Sequence, residues 1–582
     1  MSTAPGIPPS WPAMSLREAH AALTAPGSPF EMAEVDIRGQ RLRVWKNAPP
    51  TLREVFLLGR SYGARDFLVY DDERASYEDF ARATLALAAH LQKLGVGKGD
   101  RIVIAMRNLP EWPVAMFAPM LIGAISTPLN AWWTGPELEY GVRDCGAKVA
   151  IIDSERLERL SEHLHACPDL KGVLVSRHDE DMAHPLAARL EDVIGRTNDW
   201  KSLPAGDMPA VEIGPEDDAT IFYTSGTTGN PKGALGTHRN GAMNIMNAPF
   251  SMCRTLLRRG EALPTPDPNA PQKSTLLSIP FFHTTGCNAV LIPAISMGAK
   301  IVLMHRFDVE RAMQLIEREK VTTCGGVPAI AWAIVESPHR HKYDLSSLES
   351  VAYGGAPAAA DLVKRIGEEL PKSLPAIGWG MTETSSTFTH HIGEDYVFRP
   401  ESSGPALPVC DMRIVGDNGE TLPVGATGEL WARGPNVVKG YWNKPQATAE
   451  TFVDGWMKTG DIAKLDEEGF LYILDRKKDM LIRGGENIYC IEVENALFEH
   501  PDIVDAAVVG IPHKTLGEEP GAVVTLKPGA HVSEKDIRAF VAERLAAFKV
   551  PVRVIAQDET LPRNPNGKIL KNKLKPLFSG EA

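Results

Sequence analysis

Seven cysteines in 582 residues, widely scattered and with no C-x-x-C spacing, supply neither a disulfide framework nor a cysteine-bound metal. Their odd number and their positions (Cys145, Cys167, Cys253, Cys287, Cys324, Cys410 and Cys490) predict a reducing, cytoplasmic setting. Long apolar runs are also missing. The best membrane candidate, residues 114–126 (VAMFAPMLIGAIS), is too short to span and contains Pro119, so it reads as a buried helix. The opening MSTAPGIPPSWPAMS has no basic region followed by an apolar stretch, which argues for a loosely packed lead-in and against a signal peptide. Positive charge is in deficit, 62 Lys and Arg against 74 Asp and Glu, a net of -12. A broad nucleic-acid-binding face is therefore disfavoured, while a small anionic substrate needs only a few local cations. No G-x-x-x-x-G-K-[ST] loop, internal repeat, C-terminal SKL address or appended carrier domain is found.

What remains is a long chain with 43% hydrophobic content, enough for several cores. Runs such as RIVIAM (101–106), KVAIID (148–153), GVLVS (172–176), ATIFYT (219–224), STLLSI (274–279), KIVLM (300–304) and SVAYGG (350–355) are apolar on both faces. They alternate with amphipathic segments at 77–94 and 309–320, the pattern of parallel sheets covered by helices. From about Met412 shorter strands with Gly turns take over (412–420, 428–434, 469–476), and after Arg476 a compact α+β segment follows. The expected fold is α/β. A large N-terminal body of mostly parallel sheets with a small β-rich subdomain occupies 1–477, and a small mobile α+β domain occupies 478–582.

One stretch stands out: YTSGTTGNPKG, 223–233. A Gly/Ser/Thr loop leaving a strand can wrap an anion with backbone N–H groups, while Ser225, Thr227 and Thr228 add hydroxyl donors and Lys232 a mobile charge. This loop resembles the phosphate-binding signature of the adenylate-forming superfamily, which includes acyl-CoA synthetases, luciferases and peptide-synthetase adenylation domains. Further motifs follow in the family's order: PFFH (280–283), YGGAP (353–357), GWGMTET (378–384), TGE (427–429), KTGD (458–461), DRKKDM (475–480), GGENI (484–488) and NPNGKIL (564–570). The resemblance covers about residues 50 to 575 and is nearest to the acyl-CoA synthetase, fatty-acid–CoA ligase-like branch.

The resemblance implies a set of roles. ATP or AMP would contact Thr224, Ser225, Gly226, Thr227, Thr228, Gly229 and Lys232. A second group is Gly354, Gly355, Ala356, Pro357, Gly378, Trp379, Gly380 and Met381, and Ile473 joins them. Thr382 would donate to a phosphate, and Glu383, with Thr228, would hold Mg²⁺, for which hard oxygen ligands are suited. Trp379 offers a flat face beside the nucleotide or is simply a buried aromatic. Asp461, helped by Arg476, would accept the ribose hydroxyls. Lys568 matches the family's catalytic lysine, bridging the substrate carboxylate and the α-phosphate; Asn566 departs from the Ser or Thr common there. Lys478 falls at the hinge position, and Gly484 and Gly485 leave room for the pantetheine arm of CoA. His283 either gates the passage between acyl pocket and thiol or is a hydrogen-bonded core histidine.

The implied activity is ligation of a carboxylic acid to CoA at the expense of ATP, giving acyl-CoA, AMP and pyrophosphate. The 284–298 stretch contains no acid to pair with an ammonium, which disfavours amino-acid substrates. Segments 284–287, 325–329 and 353–356 are mostly small or apolar, fitting a medium or long aliphatic tail or an aryl acid. A carrier-protein phosphopantetheine, or oxygen, stays open as the acceptor, as does a catalytically silent nucleotide-binding protein. No nucleic-acid partner or transmembrane segment is expected, and a homodimer stays open.

Overall fold

The computed structural model describes residues 11–182, 184–224, 230–265, 267, 269–356, 358–563 and 569–578. Two eight-stranded sheets form the body. In the first, Arg101–Ala105 lies between Ile125–Pro128 and Ala147–Asp153, all parallel. Asp218–Thr224 continues the sheet on one side and then turns back as Lys232–Thr237, with Thr224 opposite Lys232. In the second, His391–Ile392, Leu374–Gly378, Ser350–Gly354, Thr323–Gly326, Ser274–Leu277, Lys300–Leu303, Asp66–Tyr70 and Glu73–Ser76 lie side by side in that order. The six inner strands are parallel. Every sequence run read as a two-faced apolar strand is a strand of these sheets with at least one parallel neighbour, GVLVS as Gly172–Ser176 beside Ala147–Asp153.

The helices start where their caps dictate. Ser76 accepts from Asp79 N and Asp79 returns the bond to the Ser76 N–H, opening Tyr77–Lys93; Asp308 caps Val309–Glu319. The apolar segment 114–126 divides into the fully buried helix Glu111–Leu121 and the strand Ile125–Pro128. Glu111 ends up buried in that helix, where burial raises its carboxyl, and Arg177 compensates at 3.1 and 3.2 Å. The main core packs both sheets against these helices through Phe67, Val69, Ile104, Phe117, Ile301 and Val351.

A third, antiparallel sheet runs Gly404–Pro405, Phe470–Arg476, Trp456–Leu465, Gly428–Arg433, Asp411–Val415. Beyond it a five-stranded sheet, with helices Cys490–Phe498 and Glu534–Ala542, encloses its own core of Val493, Leu497, Val508, Val524, Ile537 and Val541. No helix among the described residues is long and apolar enough to cross a membrane.

Candidate active site

The carboxyl ends of both large sheets open into one cavity of about 1150 Å³, the place where parallel α/β sheets hold ligands. It gathers Thr224 and Lys232 from the first sheet, and Gly354, Gly355, Gly378, Trp379, Gly380 and Met381 from the second. Thr382, Glu383, His283, Arg476 and Lys478 also line it. Ala356, Asp461, Ile473, Gly484 and Gly485 do not. Ile473 packs instead against the core under the third sheet, and the two glycines are exposed. Ser225, Gly226, Thr227, Thr228, Gly229, Pro357 and Lys568 lie outside the described residues.

One end of the cavity is wired with charge. The antiparallel register sets Asp461 opposite Arg476, whose Nε meets Asp461 Oδ1 at 2.7 Å. Trp379 Nε1 donates to Asp461 Oδ2 at 2.9 Å. Asp461, 1% exposed, thus stands one layer behind the cavity wall and fixes both Trp379 and Arg476.

The strand Gly440–Tyr441 joins the first sheet beside Lys232–Thr237. Tyr441 Oη donates to Glu383 Oε1 at 2.6 Å, and Lys232 Nζ lies 5.1 Å from the Tyr441 ring centroid. Burial and the Glu383 charge raise the phenol further above its ordinary value, so it remains a donor. Glu383 sits in a single turn, Thr382–Thr384, reached through Gly380, where a Cβ would lie 1.7 Å from Ser386 O. Only glycine permits that approach.

His283 stands before the π-helical segment Thr285–Leu291, a form often found at functional sites. Its Nδ1 accepts from the Thr285 N–H at 3.2 Å and lies 3.0 Å from Thr285 Oγ1. Burial pushes the imidazole down to about 4, so near neutrality it is uncharged, with the proton on Nε2. The turn that carries it is pinned by Asn108, whose Oδ1 accepts from Phe281 N at 2.9 Å and whose Nδ2 donates to Ile279 O at 3.0 Å.

Lys478 does more than mark a boundary, because it lines the cavity. Burial, with Arg476 adding to it, lowers its ammonium, while Asp479 and Asp461 act the other way. Just before it, Asp475 bonds to the Cys490 N–H, the first residue of the helix Cys490–Phe498. Burial raises the Asp475 carboxyl to about 6 against the opposing pull of Lys571.

Sequence reading missed Arg107, Trp132 and Asn108. The Arg107 guanidinium lies 4.4 Å over the Trp132 ring and donates to His305 O at 2.7 Å. Burial, with Arg156 and Arg306 nearby, pushes it down to about 10. Arg107 and Trp132 follow neighbouring strands of the first sheet, Arg101–Ala105 and Ile125–Pro128, while Arg107 and Asn108 bond to His305 and Ile279 of the second, and RNLPEW carries no pattern that announces either contact. Among the described residues, no three His, Cys, Asp or Glu side chains gather as a metal site.

Family models match twice: AMP-binding enzyme over residues 59–442, and AMP-binding enzyme C-terminal domain over 492–568. A feruloyl-CoA synthase of Amycolatopsis sp is 35% identical over 508 residues, 86% of this chain and 94% of that one. The long-chain-fatty-acid–CoA ligase FadD13 of Mycobacterium tuberculosis is 33% identical over 510 residues, covering 87% and 94%. Among solved structures, the anthranilate CoA ligase AuaEII in complex with anthranoyl-AMP superposes with a TM-score of 0.80 at 26% identity, covering 91% and 98%. The o-succinylbenzoate CoA synthetase of Bacillus subtilis with its acyl-adenylate gives 0.74 at 29%, covering 90% and 97%.

Proposed function

The chain belongs to the AMP-binding enzyme family and is an AMP-forming acid–thiol ligase that works through an acyl-adenylate; from this premise we propose that its acid is elongated and largely apolar, a medium or long aliphatic acid or an aryl acid with a comparable reach. The observation that carries this reading is the cavity itself. Its charged end holds Trp379, Arg476 and Glu383 in fixed positions, and from there it continues between apolar walls.

In the adenylating step a carboxylate oxygen attacks the α-phosphorus of ATP in line and the bond to pyrophosphate breaks. Two anions must meet, so positive charge and donors placed between them do most of the work. Lys232, Thr382 and Arg476 serve the phosphates and ribose, and Lys568 is the residue proposed to bridge carboxylate and α-phosphate. Glu383 Oε2 has no protein partner among the described residues, and one carboxylate plus phosphate oxygens is the usual way Mg²⁺ is held. Bound there, the ion would offset the charge on the ATP oxygens as pyrophosphate leaves. Neutral His283 and the pair Arg107 and Trp132 border the route for CoA, whose thiolate attacks the acyl carbon and releases AMP. Arg107 and Arg306 supply charge for its phosphates.

We assign 1–477 to the adenylating body and 478–582 to a mobile domain hinged at Lys478. Fatty, aryl and amino acids assayed for pyrophosphate release, with and without CoA, test the reading. Elongated apolar acids should release pyrophosphate and give thioester only with CoA; preference for amino acids, or CoA-independent product, overturns it.

A further inference from the structure

Strand register orders the floor of the cavity in layers. Gly354 pairs with Gly378 at the edge where the charged groups stand. One layer deeper lie Gly325, Ala352, Ala376 and Ile392, again neighbours in register and all lining the cavity. The deepest layer is Thr275, Thr323 and Ser350, paired in sequence across three adjacent strands. From Gly354 to Ser350 is four strand steps, about 13 Å. The middle layer is apolar and made of small residues save Ile392. At Gly325 a Cβ would lie 1.6 Å from Ala352 O, so nothing larger than glycine fits there. Met252, Val290, Pro293 and Ala294 also line the cavity and add apolar surface.

The deepest layer breaks this pattern. Three hydroxyl side chains stand in a row beyond the small apolar residues of the middle layer. Ser350 Oγ donates to Leu374 O at 3.2 Å, but the hydroxyls of Thr275 and Thr323 have no hydrogen-bond partner among the described residues. Threonine is common in strands for its branched shape, yet valine would meet that need equally well. An alkyl tail pressed against the row would dehydrate two hydroxyls and give them nothing in return, which is unfavourable. An oxygen at the end of the acid would pair with them.

We propose that the slot selects elongated acids carrying a hydroxyl or keto oxygen remote from the carboxylate, received by Thr275, Thr323 and Ser350. The proposal rests on the ligase reading and deepens it. A site built to bond a substrate oxygen discriminates strongly against the analogue without it, whereas a plain alkyl slot would favour the unsubstituted acid.

Straight-chain acids of graded length, each with and without a terminal hydroxyl, compete in pairs for the wild-type enzyme, with acyl-CoA products quantified. The hydroxy acid should win by roughly tenfold at one chain length, where its oxygen reaches the row, and by less at shorter and longer ones. In Thr275→Val/Thr323→Val, which keeps the shape and removes both hydroxyls, that ratio should fall towards one through KM, with the melting temperature checking the fold. Equal use of both acids at every length overturns the proposal, as does a preference that survives the double substitution. Should the variant misfold, the wild-type length profile decides alone. Failure of every acid to release pyrophosphate overturns the ligase reading itself, and this proposal with it.

Discussion

At the nucleotide end of the cavity, polar side chains are held by neighbours: Trp379 and Arg476 by Asp461, Glu383 by Tyr441. At the acyl end the floor is built from small residues in register, and two of its hydroxyls have no partner among the described residues. The first arrangement is rigid before any ligand arrives, as stabilisation of a charged transition state requires. The second is shape with a few open hydrogen-bonding positions, which suits discrimination among acids. A lesion at the charged end should therefore cost catalysis on every acid, and one at the acyl end should change which acid is used.

The largest effect is expected from Asp461→Ala, which strands Arg476 and the Trp379 N–H together. Truncating one partner of a buried charged pair costs about 2–5 kcal/mol, so ATP-dependent pyrophosphate release should collapse alike for every acid, beside a lowered melting temperature. Selective loss for one acid would break the contrast between the two ends. Glu383→Gln comes next. It keeps an acceptor for Tyr441 but removes the charge, so kcat should drop by roughly 10²-fold and the Mg²⁺ needed for half-maximal rate should rise; an unchanged Mg²⁺ titration contradicts the assignment. Tyr441→Phe frees Glu383 at the loss of one hydrogen bond, about 0.5–1.5 kcal/mol, and steady-state kinetics should show a fall of about tenfold or less.

The smallest effect concerns the junction after the third sheet. Burial raises Asp475 to about 6, so the folded protein binds this proton more tightly than the unfolded chain. Stability from this group is therefore present below its ordinary carboxylate range and lost as pH rises through about 6. Asp475→Asn should flatten that slope in melting temperature between about pH 4 and 6, while keeping an acceptor for the Cys490 N–H. An unaltered slope would show that Asp475 is not the titrating group.

Much of the charged end was legible in the sequence because it depends on contiguous motifs. GWGMTET fixes a short turn and KTGD an irregular stretch of the strand Trp456–Leu465 with Gly460 at positive φ, and parallel strands announce themselves as apolar runs. The acyl end was not legible. Thr275, Thr323 and Ser350 come from three separate strands and meet only through register, which a sequence does not display. Arg107 over Trp132 likewise depends on which strands lie side by side in the first sheet. Asp461 was found by its motif, but its place behind Trp379 follows from packing alone. The partition of 114–126 into helix and strand reflects two buried elements in series, which an unbroken apolar run cannot distinguish.

Activation of the acid proceeds by direct attack of its carboxylate on the α-phosphate of ATP. An acid carrying heavy oxygen in its carboxylate tests it in a single turnover with ATP and CoA, followed by mass analysis of the nucleotide. One labelled oxygen is expected in AMP, left there when the thiol displaces it from the acyl carbon. Unlabelled AMP, with the label in inorganic phosphate or pyrophosphate, would contradict it.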